Sequence, residues 1–542
     1  MDNGTDRILI GEAEFRNKRT PFGIKIDDLR RHIYAVGLTG VGKTTFLETM
    51  ALYHIQHNKG VGIIDPHGEF SDRLMDYIPK ERIDDVVYIN PSDTNYPLAF
   101  NVMESVDFEQ RHLVASSLLS VFKKIWPDVW SARMEYILNN TFLALLEYPD
   151  STLLGISRML ADKDYRKMIV SRLMDPVVKA FWTQEFARYH DRFQVEAIAP
   201  LQNKVGQFTA NPLVRNIIGQ KKTKLNLREI IDTRKILIVR LPVGLVGESN
   251  ASLLGGLLVT KLQQAAMSRI DIPENQREDF CLVIDEFQNF ATESFIKILS
   301  EARKYHLNLV IGHQYLDQIP EEILAAILGN VGTYVAFRIG PVDAEKLEPQ
   351  FLPQINVHEL VNLPNHYFYI KMMIDGVTSP PFLGTTLLPP PLPVQSYKEE
   401  IIKLSQLKYS TQKGFIEQEI QKWLEPVEPG KEEKLEQEPE VWEPVMLHEA
   451  VCSSCGKDIR LPFEPDPNRP VYCKKCLKKV KKPEAEKKPA KAKAKKPVSA
   501  KPKTEPKAEE KKSGLGEMLK KIISSQKPEK ETDSLESQEQ ES

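Results

Sequence analysis

The segment Gly37-Leu38-Thr39-Gly40-Val41-Gly42-Lys43-Thr44 constrains this chain more than any other. Glycines at these spacings let successive backbone N–H groups turn inward and cradle phosphate oxygens. In this pattern Lys43 reaches the β- and γ-phosphates, and the Thr44 hydroxyl is a ligand for Mg²⁺. An apolar run at 33–36 precedes the segment and an amphipathic run at 44–57 follows it, so the loop joins a strand to a helix. The helix N-terminus adds a partial positive charge beneath the phosphates. Gly37, Leu38, Thr39, Gly40, Val41, Gly42, Lys43, Thr44 and Thr45 are therefore the expected contacts to ATP.

A cradle of this kind needs a parallel sheet, and the rest of the chain supplies the strands. Short apolar runs at 32–36, 61–65, 86–89, 235–241, 280–284, 307–311, 333–339 and 367–374 alternate with helical patterns. They are apolar on both faces, as strands buried beneath two helical layers are. The expected fold is an α/β P-loop NTPase core with a parallel sheet. An all-helical insertion interrupts it, and a small zinc ribbon and a disordered tail follow. Residues 1–30 read as an N-terminal β remnant, 31–105 and 228–388 as the two parts of the core, and 106–227 as the insertion. The proline run at 389–393 ends the core. Residues 389–450 then read as a Pro/Glu-rich linker with a helix.

Two acids close the run Cys281-Leu282-Val283-Ile284-Asp285-Glu286. A strand delivers such a pair to the carboxyl edge of the sheet, where ligands bind. Asp285 is the expected second Mg²⁺ ligand, and Glu286 the residue that orients or polarises the attacking water. The run 307–311 ends in Gly312-His313-Gln314, and Gln314 is the candidate γ-phosphate sensor, with His313 beside it as the alternative. Arg303 is the candidate arginine finger toward a neighbouring subunit, and Arg338 a second candidate.

These pieces together resemble the HerA/FtsK superfamily of hexameric DNA-pumping ATPases. The resemblance rests on Phe22-Gly23-Ile24-Lys25 through Arg30-Arg31-His32, the glycine-rich loop, Ile63-Ile64-Asp65-Pro66-His67-Gly68-Glu69, Val283-Ile284-Asp285-Glu286-Phe287 and Gly312-His313-Gln314, in that order along residues 8–385. Within the superfamily the chain looks most like the coupling ATPases of conjugative type IV secretion, the TraD/TraG group. The resemblance implies a RecA-like core, a homo-hexameric ring and ATP-driven movement of double- or single-stranded DNA. It also matches Lys43, Thr44, Asp285, Glu286, Gln314 and Arg303 to catalytic positions. The expected function is an ATP-driven DNA translocase serving DNA transfer or processing. The alternatives are a secretion or pilus-assembly ATPase that moves protein, and a nucleic-acid-binding scaffold with a nucleotide switch.

Four of the five cysteines form Cys452-Ser453-Ser454-Cys455 and Cys473-Lys474-Lys475-Cys476, seventeen residues apart. Two such knuckles supply four thiolates, the usual set for structural Zn²⁺. The expected zinc module spans 451–479. A region of Lys, Ala, Pro and Glu follows, too polar to bury a core, so 480–542 reads as a disordered tail with a short amphipathic helix at 514–524. Its lysines suit nucleic acid, and the C-terminal region is the expected place for secretion or DNA-processing partners. No apolar run is long enough for a transmembrane helix and the N-terminus lacks a signal-peptide pattern, so the expected location is cytoplasmic.

Overall fold

Each apolar run contributes to a strand, and the order of the strands in the sheet differs from their order in the chain. The strands of the larger unit are β1 (Arg7–Phe15), β2 (Lys18–Lys25), β3 (Ile33–Val36), β4 (Gly60–Asp65), β5 (Val86–Ile89) and β6 (Ile236–Arg240). They continue with β7 (Phe280–Ile284), β8 (Leu307–His313), β9 (Thr333–Ala336), β10 (Tyr367–Lys371), β11 (Met373–Ile374), β12 (Val377–Thr378) and β13 (Phe382–Thr385). The computed structural model describes residues 7–15, 18–104, 107–189, 191–426, 448–461, 470, 471 and 476. They belong to two units, Met1–Lys431 and Glu432–Ser542.

One 11-stranded sheet runs in the order β2-β1-β13-β10-β9-β3-β8-β7-β4-β6-β5. From β9 to β5 every pairing is parallel. The remaining four strands add antiparallel at the β9 side. The strand before the glycine-rich loop, β3, is thus separated from the acid-bearing β7 by β8 alone. All three end on the same edge.

Side chains alternate between two cores, as the pleat requires. Along β7, Cys281 and Val283 face Phe46, Leu47 and Met50 of the helix Lys43–Gln56. Phe280, Leu282 and Ile284 join the other core, which continues into Phe122 and Phe142 of the helices Arg111–Ile125 and Ala132–Glu147. The helical stretch between β5 and β6 therefore shares its core with one face of the sheet. Its helices start on side-chain caps: Ser131, Asp162, Asp175, Asn211 and Asn226 each accept a hydrogen bond from the first-turn backbone. Pro176 and Pro212 occupy the first helical positions.

Three expectations shift. Residues 367–374 do not form one strand, because the chain leaves the sheet after Lys371 for the hairpin β11–β12. The buried Asp28 carboxylate anchors that hairpin by accepting the N–H groups of Asp375 and Gly376, both at 2.9 Å. The β remnant, β1–β2, is part of the main sheet, with Ile8, Ile10 and Ile24 in the same core as Phe46.

The third shift concerns the linker. Helices Lys398–Tyr409 and Lys413–Leu424 pack onto the larger unit instead of standing apart from it. Ile401 is fully buried. Ser405 Oγ accepts from the Tyr88 N–H at 3.1 Å and donates to the Val86 carbonyl at 3.3 Å, so it pairs backbone groups of the edge strand β5. Farther along, the Arg158 guanidinium lies over Tyr165 and Trp423. The opposite edge, β2, carries Lys18, Arg19, Pro21 and Lys25, which discourage pairing with another strand.

In the smaller unit β14 (His448–Val451) and β15 (Asp458–Leu461) form an antiparallel hairpin. Residue Cys473, the lysine-rich tail and the segment 514–524 lie outside the described residues. Among the described residues no helix is long and apolar enough to cross a membrane.

Candidate active site

The loop after β3 continues strand-like pairing for one residue on each side. The Gly37 N–H donates to the His313 carbonyl on β8, and the Leu38 N–H to the Arg338 carbonyl beyond β9. A Cβ on Gly37 would lie 2.5 Å from the Phe337 side chain, so only glycine fits. Gly40 and Gly42 take φ of +77° and +113°, the left-handed turn that aims backbone N–H groups inward. Lys43 then opens the helix, and its ammonium folds across the cradle to the carbonyls of Gly37 (2.7 Å) and Leu38 (3.1 Å). Burial lowers its pKa, while Glu286 and Asp285 pull the other way.

From the first turn of that helix, Thr44 Oγ1 donates to Asp285 Oδ2 at 3.3 Å. A hydroxyl and a carboxylate side by side are hard oxygen donors, the set Mg²⁺ prefers. Asp285 is buried, and its pKa is pushed up to about 6, first by burial and then by neighbouring Glu286. A carboxylate placed so unfavourably fits a site completed by a cation. Gly312 on the intervening β8 makes room, since a Cβ there would sit 2.8 Å from Leu47 and 3.2 Å from Asp285 Oδ1.

Glu286 adopts φ +46°, a left-handed conformation rare for a side-chain-bearing residue and characteristic of functional turns. Its Oε1 accepts from Gln314 Nε2 at 2.6 Å and its Oε2 from Gln288 Nε2 at 2.8 Å. Burial works to raise its pKa, but the nearby His67, hydrogen bonding from Gln288 and Gln314, and the Lys43 charge hold it near 2. Of the two adjacent carboxyls, Glu286 thus keeps the charge. His313, by contrast, points into the opposite core, where its Nδ1 meets the Tyr34 hydroxyl at 2.9 Å. Burial drops its pKa to about 4, so it stays neutral and apart from Glu286.

A second turn, after β4, completes the group. Asp65 is fully buried; its Oδ1 accepts the His67 N–H at 2.9 Å, and its Oδ2 accepts Ser71 N–H and Oγ–H. Gly68 at φ +94° leaves space that the Arg240 guanidinium fills. This turn sets His67 Nε2 3.9 Å from Glu286 Oε1. The sequence motifs assign no individual role to His67, Asp65 or Gln288. Gln288 lies two residues from Glu286 in the same turn, whereas only a strand order placing β4 beside β7 brings the turn of Asp65 and His67 to Glu286.

The two arginine candidates separate. Arg338 stands beside the cradle, with its guanidinium on the Leu363 carbonyl and Asn365 Oδ1. Arg303 is exposed on the turn Ala302–Tyr305, before β8, whereas the site lies after β8. The 7-residue strand between them spans roughly 20 Å, so Arg303 does not reach its own subunit's cradle.

In the smaller unit, Cys452, Cys455 and Cys476 offer sulfurs all within 4.8 Å of one another, as tetrahedral Zn²⁺ with Zn–S near ~2.3 Å requires. Gly456 at φ +66° lets the hairpin turn close, with its N–H on the Cys452 carbonyl.

A parallel sheet with a phosphate cradle, an Asp-Glu pair two strands away and a glutamine on the strand between them defines a P-loop NTPase. Residues 8–259 match the family model described as Helicase HerA, central domain, and residues 446–481 match a probable treble clef zinc finger. The chain carries a P-loop ATPase core similar to the HerA central domain, followed by a C-terminal segment similar to a treble clef zinc finger. The matching zinc model is a treble clef where a ribbon was expected. Cysteine spacing identifies the ligands but not the element that delivers them, and Cys476 is helical.

Among solved structures, the plasmid coupling protein TrwB in complex with an ATP analogue is 15% identical, with a TM-score of 0.52. That match covers 73% of this chain and 97% of the other. TrwB with ADP and Mg²⁺ has a TM-score of 0.51 at 15% identity, covering 72% and 97%. The unbound bacterial conjugative coupling protein TrwBdeltaN70 gives 0.50 at 15% identity, covering 67% and 86%. At this identity the likeness shows the fold. No curated protein matches the sequence.

Proposed function

We propose that the chain is an ATP-driven DNA translocase that works as a homo-hexameric ring. The observation that carries the chemistry is the convergence of Thr44 with Asp285 and of Gln314 with Glu286 around one cradle. Lys43 exchanges its two loop carbonyls for the β- and γ-phosphates of ATP. Thr44 and Asp285 would hold Mg²⁺, which would supply charge neutralisation at the phosphates. Glu286 accepts a hydrogen bond from the attacking water and aims its oxygen at the γ-phosphorus. Gln314 touches both Glu286 and the γ-phosphate region, so loss of that phosphate changes the contacts of β8.

DNA as the cargo is supported by the HerA match and by the coupling proteins that share the fold. The ring is supported by Arg303, an exposed cation on the sheet edge opposite the cradle, where it serves a neighbour's nucleotide. ATP hydrolysis measured with and without long DNA tests the reading. Stimulation by DNA is expected; identical rates would remove the translocase assignment. Glu286→Gln should keep ATP bound while slowing hydrolysis by about 100-fold or more. Parent-like turnover in that variant would show that another group orients the water.

A further inference from the structure

The turn after β4 does more than join a strand to a helix. All of its own closing hydrogen bonds are made by Asp65, Ser71 and backbone groups. The His67 imidazole makes none of them, and its side chain is 61% exposed, so packing does not account for where it sits. What fixes it is the rigid backbone beneath: Asp65 buried without exposure, Gly68 in the left-handed region, and Arg240 closing over Gly68 while bonded to Asp72 at 3.2 Å. The strand β4 is paired in register with β7, with Ile64 opposite Ile284, so the two loops leave the sheet side by side. The Asp285 N–H also donates to the Ile64 carbonyl at 3.1 Å. The imidazole is thereby delivered to the Oε1 side of Glu286, the same oxygen that Gln314 holds.

Resting on the ATPase reading of this site, we propose that His67 is a positioning residue for Glu286, holding its Oε1 when Gln314 turns to the γ-phosphate. Glu286 has two anchors in the described structure, Gln288 on Oε2 and Gln314 on Oε1. A glutamine that senses the γ-phosphate must divide its amide between that phosphate and Glu286. The carboxylate would then swing about its single remaining anchor at the moment the water needs a fixed acceptor. His67 Nε2, at 3.9 Å, is one small side-chain rotation from hydrogen-bond distance and carries a donor of the required kind. The approach recorded for its imidazole is to Glu286, so its loss should act through Glu286 on the hydrolytic step and spare nucleotide binding.

The test compares the parent chain with His67→Ala and His67→Gln, using steady-state ATP hydrolysis and fluorescent ATP-analogue binding. His67→Ala should lower kcat between roughly 10- and 100-fold, the scale of a mispositioned catalytic group, while KM and analogue affinity stay within about twofold. His67→Gln, whose amide can donate from the same turn, should regain most of the lost kcat. An unchanged kcat in His67→Ala overturns the proposal. So does an equal loss of kcat and affinity, or failure of the glutamine variant to recover when both variants melt like the parent. A parent chain that hydrolyses no ATP overturns the ATPase reading together with this one. An active parent with an indifferent His67→Ala overturns the positioning role alone.

Discussion

Asp285 carries a cost that its neighbours explain. Its carboxyl titrates near 6 in the folded chain against an ordinary value of 3.8, because it is buried beside Glu286. The raised value means the folded state holds the proton that the unfolded chain releases. This residue's contribution to stability is therefore complete below about pH 4 and is lost as pH rises through about 6. Asp285→Asn removes that penalty, so the nucleotide-free protein should melt at a higher temperature than the parent at pH 7, with the gap closing toward pH 4. The same change should abolish Mg²⁺-dependent hydrolysis. A calorimetric scan across pH checks the first statement, and a parent-like melting profile would contradict it. Residue identities at this site were mostly readable in sequence, because Lys43, Thr44, Asp285, Glu286 and Gln314 stand in motifs of fixed spacing. His67 was not, since its closeness to Glu286 depends on which strands are neighbours, and Gln288, two residues from Glu286, belongs to no motif of fixed spacing.

At the scale of elements, the sheet edges show how the fold is finished. β5 is an edge strand, and its exposed backbone is met by a helix from more than 300 residues later in the chain through Ser405. Ser405→Ala leaves the Tyr88 N–H and Val86 carbonyl without that partner, which should cost about 1–2 kcal/mol of unfolding free energy. Urea unfolding of the larger unit measures it; an unchanged midpoint would mean water replaces the hydroxyl without penalty. Strand positions were legible because parallel strands buried on both faces read as unbroken apolar runs. The helices at 398–424 were read as part of a linker because their composition is charged. Their buried residues, Ile401, Ile416 and Ile420, are few and widely spaced, a weak periodic signal that gains meaning only against the surface they cover.

At the scale of the molecule, two units have separate sources of stability. The larger has two hydrophobic cores on either face of one sheet, and the smaller has a cysteine cluster. Cys452→Ser should lower bound zinc toward zero in a metal assay while leaving the melting transition of the larger unit in place, because small metal domains fold on their metal. Loss of both transitions together would show that the units are coupled. The proposed ring makes a different demand. Arg303→Ala and Lys43→Ala should each be inactive alone, and mixing them should restore part of the ATPase rate, since a mixed interface pairs an intact cradle with an intact arginine. No recovery in assembled mixed rings would remove Arg303 from the site.

The amino-acid order by itself determined the phosphate cradle, the acid pair, the glutamine and the zinc ligands. Each is a local pattern whose chemistry needs particular residues at particular spacings along a few residues of chain. The tertiary structure decided everything that depends on strand order. Setting β8 between β3 and β7 places Gly312 against Asp285 and Gln314 against Glu286, and setting β4 beside β7 adds His67. It also put Arg303 on the far edge from the cradle, because residues before and after a strand emerge on opposite sides of a sheet. Distances across a sheet come from pairing among strands far apart in sequence, and no local pattern encodes them.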